Sequence, residues 1–432
     1  MDTAGARPPR VAVVAGCRTP FARAGTAYRD LTALDLAKAC VRELVERAEV
    51  DPAAIGQVVM GQVIPSVKAP NLAREVVLGT GLPAEVPAYT INRACASAGQ
   101  AIVDLAADIL SGDAEMGIAG GAESLSDVPI LHSRRMAQAL VEASRAKSLG
   151  GRIKAFAHIR PRDLAPETPA IAEPSTGLTM GQSAEKMARE NGITREEQDW
   201  IAYQSHQRMG EAVDAGRLAP EMVPVRAAPS YDPRLELDNL LRRDTTPEAL
   251  AALPPVFDRK YGTVTAGNSS PLTDGAAAVL LMSEERARAE GYEPLAFIKA
   301  WANTAVDPAG QLLMGPAFAI PKVLERAGLE LSDMDLIEMH EAFAAQVASN
   351  IQALESDAFA REKLGRTNAV GQVDRDRLNV NGGSIAVGHP FGATGARLTT
   401  TLGNEMKRRD SRYGLVSICA QGGMGFAMVL ER

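Results

Sequence analysis

One stretch of this chain occurs twice. ERAEVDPAAIGQVVMG (46–61) aligns without gaps on ERAGLELSDMDLIEMH (325–340). In both, a helix ending in Glu-Arg-Ala leads through a short polar turn to a strand ending in Met. A short apolar strand precedes each copy, RVAVVAG before the first and LAFIKAWA before the second. The shared order of elements favours duplication over coincidence and implies two similar α/β halves.

The rest of the chain is read around that repeat. RVAVVAG is short, β-branched and closed by Gly16, as a buried strand should be. LTALDLAKACVRELVERAEV has helical periodicity, and IGQVVMGQV returns to strand. CASAGQAIVDLAADIL (helix) and EMGIAGG (strand) continue the alternation. The expected organisation has one half over 1–123 and 273–293, where GAAAVLLMSEERARAEG resumes strand-and-helix order, and a second half over 294–432. Between them, 124–272 is expected to be an inserted loop domain. Its opening is rich in Pro, Arg and Ser, and helical patterns follow in MGQSAEKMARE and TREEQDWIAYQSHQRMGEAV. Long inserts of this kind commonly cap or bind.

Bulk properties exclude several classes. The 432 residues carry 46% hydrophobic and 23% charged side chains and a net charge of −7, which argues against general nucleic-acid binding. No uninterrupted apolar run approaches membrane-spanning length. The opening MDTAGARPPR lacks the apolar core of a signal peptide. The four cysteines, Cys17, Cys40, Cys95 and Cys419, form no C-x-x-C pair, and His340 and His389 lack an H-E-x-x-H setting, so no metal is expected. A reducing, cytoplasmic environment is the expectation.

Four stretches can carry chemistry. Cys95, in INRACASAGQAI, sits at a helix start, where partial positive charge favours thiolate. It is either a nucleophile or, like Cys17 and Cys40, a small buried hydrophobe. His389, in NVNGGSIAVGHPFGATGAR, stands on a glycine-rich turn, as a general base or as a loop histidine bonded to a carbonyl. No Walker or dinucleotide pattern accompanies those glycines. Cys419, in SICAQGGMG, ends a strand before a glycine turn whose N–H groups could face an oxyanion, and it also reads as structural. His340, in LIEMHEAFAAQ, ends a strand, where α/β folds place ligands. His206 reads as lying on a polar helical surface. His132 and His158 have no clear partners.

Together these stretches resemble the thiolase family over nearly the whole chain. NRACASAGQAI resembles the motif around the acylated cysteine, NVNGGSIAVGHPFGATGAR the Gly-His-Pro motif, and CAQGGMG the C-terminal cysteine motif. GGAES and TVTAGNSSPLTDGAAAVLLMSE resemble further family segments. The resemblance implies a five-layered αβαβα fold of two duplicated halves plus the inserted loop domain. HEAF, with His340 where many thiolases carry asparagine, is similar to the β subunits of fatty-acid oxidation complexes. A degradative 3-ketoacyl-CoA thiolase is therefore implied. In it Cys95 is the acylated nucleophile, His389 its base and Cys419 the acid at carbon. His340 and His389 serve the enolate oxygen, and the backbone N–H groups of Cys95 and Gln421 the tetrahedral oxyanion. Many relatives have a small residue where this chain has Gln421, whose side chain must find room. Ser270 and Met180 are implied beside the pantetheine arm, although Met180 also reads as core packing. Glu341 either orients His340 or begins a helix.

CoA is then a substrate, and no cofactor is needed. A homodimer or homotetramer is implied, with a hydratase–dehydrogenase α subunit as a further candidate partner. Within 134–162 the bases Arg134, Arg135, Arg145, Lys147, Arg152, Lys154, Arg160 and Arg162 outnumber the acids. They form a solvated face, or a surface for CoA phosphates, a partner subunit or anionic lipid, so peripheral membrane contact is one expectation. Three other readings compete: an acetyl-CoA acetyltransferase running in the condensing direction, a ketoacyl synthase with one cysteine and two histidines, and a non-catalytic lipid-carrier or scaffold subunit.

Overall fold

The computed structural model describes residues 9–166 and 172–432. Most of the MDTAGARPPR start and part of the APETPA stretch of the insert lie outside them.

Among the described residues ten strands follow one another: β1 (Val11–Arg18), β2 (Ala22–Arg23), β3 (Gln57–Gly61), β4 (Ala88–Ile91), β5 (Met116–Glu123), β6 (Thr273–Ser283), β7 (Ala296–Ala305), β8 (Leu336–Met339), β9 (Tyr413–Ala420) and β10 (Met424–Glu431). Nine form a path β4-β3-β5-β6-β1-β7-β10-β9-β8, and β2 pairs with β6. The path reads alike from its centre outward. β1 pairs antiparallel with β6, β6 antiparallel with β5, and β5 parallel with β3. On the other side β7 pairs antiparallel with β10, β10 antiparallel with β9, and β9 parallel with β8. Beside β3 lies parallel β4; beside β8, Leu378 makes a parallel bridge to Ile337. The halves join where Val11–Val13 runs antiparallel to Ala296–Ile298.

The repeat survives down to single turns. Pro52–Ala54 and Leu331–Asp333 are both 3-10 turns at aligned positions, and β3 and β8 begin at the aligned residues Gln57 and Leu336. Glu49 and Gly328, aligned just past the two helices, both take left-handed φ, 51° and 67°. Gly328 adopts this without cost, whereas Glu49 is strained.

Side-chain alternation sorts the molecule into layers. Val11 and Val13 of β1 face the same core as Phe426, Met428 and Leu430 of β10, with the helices Ser97–Ser111 and Thr394–Arg409 inside it. Ala12 and Val14 face outward to helix Ala33–Arg47, and Ala427 and Val429 to helix Gly315–Ala327. The order is therefore helix, sheet, helix, sheet, helix, the five-layered order that the resemblance implies. The two central helices cross at Gly99 and Gly395, where a side chain on Gly395 would overlap the Gly99 backbone. So part of the glycine density around His389 serves helix packing and not ligand approach. Segment 94–111 is apolar and long enough, by composition, to cross a membrane, and it lies inside this central layer.

Residues 124–272 contribute no strand to the nine-strand path among the described residues. They hold the helices Met180–Asn191 and Arg195–Asp214. Buried Arg18 anchors this segment: its guanidinium donates to Glu221 (2.6 Å) and Asp238 (2.6 and 3.0 Å). Asp238 also accepts from the Phe21 N–H.

Candidate active site

Cys95 lies two residues before helix Ser97–Ser111, on a backbone elbow. Ala94 has φ 45°, an unfavourable conformation for a residue with a Cβ. Local side chains hold it there. Asn92 Oδ1 accepts from the Ala94 N–H, Ser97 Oγ accepts from the Arg93 N–H, and Ser97 Oγ donates to the Ala94 carbonyl at 2.6 Å. The polar residues around Cys95 thus build the turn that aims it.

A cavity of about 240 Å³ opens on that turn. Its walls include Cys95, His389, Cys419, Gln421, Ser270 and Met180. Residues from both halves and from the insert therefore meet there, and apolar side chains such as Leu313, Phe343 and Phe391 fill the remainder of the wall. His340 stands immediately behind: its ring centre is 4.0 Å from that of His389. One ligand-type atom from each of Cys95, His340 and His389 lies within 4.8 Å of the others. By distance the trio has room for a soft cation.

The hydrogen bonds behind His389 give it a different task. Its Nδ1 meets Thr394 Oγ1 at 2.6 Å, and that hydroxyl donates to the Pro390 carbonyl. Its proton being committed, Thr394 Oγ1 accepts from Nδ1–H, which leaves Nε2 with a bare lone pair. Nε2 is buried and has no partner. A buried orphan acceptor at a thiol is the arrangement a general base requires.

Electrostatics overturn one expectation. The helix start was expected to favour the thiolate of Cys95, but burial pushes its pKa up to about 12. The Gln421 and Cys95 backbone N–H groups pull the other way and lose to desolvation. Burial likewise lowers His389 to about 3. The resting pair is therefore neutral thiol and neutral imidazole. Cys419 is buried, and desolvation followed by the nearby Cys95 raises its pKa. It is the last residue but one of β9, and the turn after the strand uses left-handed φ at Gly422 (84°) and Gly423 (73°).

Gln421 finds its room by reaching toward the insert backbone. Its Nε2 donates to the Ala172 carbonyl at 2.8 Å, and the next N–H, of Gly422, donates to Glu173 at 3.0 Å. Glu341 does neither job foreseen for it. Its carboxylate accepts from Ser205 Oγ, Asn379 Nδ2 and the Ile385 N–H, and the following helix starts only at Ala344. It pins the 379–385 loop, and a side chain on Gly383 would overlap it. His206 is buried, not on a surface; desolvation lowers its pKa to about 4, and its Nδ1 accepts from the Arg242 N–H.

Glu123 was missed. It is fully buried at the end of β5 and accepts from the N–H groups of Val63, Ile64 and Gly392, tying together loops that shape the cavity. Burial raises its pKa to about 7. The only sequence signal was its place in GGAES, at the carboxyl end of a strand.

Comparison with known proteins agrees with this geometry. The family model described as "Thiolase, N-terminal domain" matches residues 11–285, and "Thiolase, C-terminal domain" matches 292–432. A 3-ketoacyl-CoA thiolase of Cronobacter sakazakii is 51% identical over 98% of this chain and 97% of its own. One from Shewanella pealeana is 51% identical over 99% and 98%. Among solved structures, a Bacillus anthracis acetyl-CoA acetyltransferase superposes with a TM-score of 0.84 at 34% identity, covering 98% of each chain. Human mitochondrial 3-ketoacyl-CoA thiolase gives 0.82 at 35%, covering 99% of each. With both halves matched end to end and the cavity built at their meeting point, the chain belongs to the thiolase family.

Proposed function

We propose that this protein is a 3-ketoacyl-CoA thiolase, an acyltransferase that cleaves 3-ketoacyl-CoA with CoA to acetyl-CoA and an acyl-CoA two carbons shorter. The observation that carries the reading is the cavity where Cys95, Cys419 and the unpartnered Nε2 of His389 converge. The 51% identity to 3-ketoacyl-CoA thiolases supports it.

The chemistry runs in two halves. His389 Nε2 takes the thiol proton of Cys95, and the sulfur attacks the 3-keto carbon. The ion pair so formed costs desolvation, offset in part by mutual attraction of about 4 kcal/mol at 4 Å. The tetrahedral oxyanion is held by the backbone N–H groups of Cys95 and Gln421. Cleavage of the carbon–carbon bond leaves the acyl group on Cys95 and expels the acetyl-CoA enolate. Its oxygen accepts from His340 and from His389, now protonated. Cys419 delivers the proton to carbon. CoA then enters, its thiol proton passes to Cys419, and its sulfur takes the acyl group. Ser270 and Met180 line the approach for pantetheine. No cofactor takes part. A related human thiolase structure was solved with CoA.

Degradation in fatty-acid oxidation, in the cytoplasm, as a homodimer or homotetramer and with a hydratase–dehydrogenase α subunit as candidate partner, completes the reading. The acetyltransferase neighbour keeps a second direction in view, condensation of two acetyl-CoA molecules. Thiolysis of C4 to C16 3-ketoacyl-CoAs, followed by loss of substrate absorbance with and without CoA, separates them: activity extending beyond C4 supports the degradative reading, and activity confined to C4 contradicts it.

The basic stretch supports peripheral membrane contact. Leu140, Val141, Leu149 and Ile153 are exposed on two helices, Arg134–Arg145 and Leu149–Ala155, which also carry Arg135, Arg145, Arg152 and Lys154. Apolar and cationic side chains together suit an anionic lipid surface.

A further inference from the structure

His340 and His389 look alike from the cavity, since each presents a buried Nε2 with no partner. Behind the rings they differ. His340 Nδ1 meets Ser384 Oγ at 2.8 Å. That same Oγ accepts from Arg397 Nη2 at 2.7 Å. Arg397 is buried and can only donate, and Glu338, also buried, holds its other nitrogen at 3.4 Å. The cation therefore occupies the acceptor side of the serine oxygen. Among the described residues Ser384 Oγ has no acceptor for its own proton other than His340, unlike Thr394 with its Pro390 carbonyl. The serine proton therefore points at Nδ1, which accepts it, and Nε2 carries the ring hydrogen.

We propose that Arg397 and Ser384 form a positioning relay that fixes His340 in the Nε2–H tautomer, making it a dedicated donor to the enolate oxygen while His389 serves as base. This rests on the thiolase reading above. It explains how one cavity keeps two neighbouring neutral imidazoles in opposite roles: Thr394 sets His389 as acceptor, and Ser384 sets His340 as donor. It also removes His340 Nε2 as a metal ligand, because its lone pair is used by the proton. Desolvation, aided by His389 and Arg397, lowers the pKa of His340, so the ring donates while neutral.

Neither Ser384 nor Arg397 lines the cavity or hydrogen-bonds the nucleophile, so a half-reaction split reveals their role. The first measurement is thiolysis of 3-ketooctanoyl-CoA, which passes through the enolate. The second is exchange of labelled CoA into octanoyl-CoA, which acylates and deacylates Cys95 without breaking a carbon–carbon bond. Ser384→Ala is expected to lower thiolysis kcat by about tenfold, less than the ~10²–10³ that outright loss of an oxyanion donor costs, because the His340 ring itself remains. Exchange should stay within about twofold, and Ser384→Thr, which keeps the hydroxyl, should recover most of the thiolysis. Equal losses in both reactions, or none in either, would overturn the relay.

A readout independent of turnover keeps the relay separate from the activity. In protein labelled with 15N-histidine, with His340 assigned through His340→Asn, the resting enzyme should show a protonated Nε2 and a bare Nδ1. A protonated Nδ1 would overturn the relay even in an active enzyme. Absence of thiolysis in the unaltered protein would instead count against the function, while the nitrogen spectrum still tests the relay.

Discussion

The rings of His340 and His389 lie 4.0 Å apart, tilted by 46°, while their inner nitrogens rest on hydroxyls from different turns, Ser384 and Thr394. Two imidazoles this close and this buried cannot both hold charge, so the site works from neutral rings and moves one proton at a time.

His340→Ala should therefore lower thiolysis kcat by about 10² to 10³ with little change in KM, because the lost donor acts on charge that develops after binding. His340→Asn, which restores an N–H donor, should recover part of that loss. Steady-state kinetics with one substrate length decides it.

Cys95 should alkylate slowly at neutral pH. Its folded pKa of about 12 lies above that of an ordinary thiol, so burial protonates the sulfur and reduces its reactive fraction. With iodoacetamide, the rate at Cys95 should rise close to tenfold per pH unit from pH 7 to 10. A plateau near pH 8.5 would mean that the sulfur titrates like a free thiol.

Arg18→Met should destabilise the fold while leaving the catalytic groups in place. It strands Glu221 and Asp238, both buried, without their cation. Loss of one partner from such a cluster costs about 3–5 kcal/mol, visible as a lower denaturation midpoint. An unchanged midpoint would show that the link between β1 and the insert is dispensable.

On the insert, Leu149→Glu with Ile153→Glu should weaken binding to vesicles containing anionic lipid and leave thiolysis of soluble substrates unaltered. Co-sedimentation with vesicles of mixed phosphatidylglycerol and phosphatidylcholine measures this. Equal binding by both proteins would exclude this helix pair as the contact.

Local pattern carried much of the fold. The repeat placed two helix–turn–strand units whose turns and strand starts fall at aligned residues, because these depend on neighbours in sequence. Cys95, His389 and Cys419 were legible because each sits in a motif. Glu123, Glu341 and Arg18 were not, since in sequence a buried carboxylate or guanidinium looks like a solvated one. Their partners lie far along the chain: Gly392 for Glu123, Ser205 for Glu341 and Glu221 for Arg18. His206 was misplaced for the same reason. The upward pull of burial on the Cys95 thiol was not legible, because a helix terminus is visible in sequence and burial is not.

The central claim, that Cys95 carries the acyl group, is tested most directly by intact-protein mass and peptide mapping after mixing enzyme with 3-ketooctanoyl-CoA without free CoA. The account predicts one hexanoyl group per chain, on Cys95, with one equivalent of acetyl-CoA released. An unmodified Cys95 beside released acetyl-CoA, or the acyl group on another residue, would contradict it.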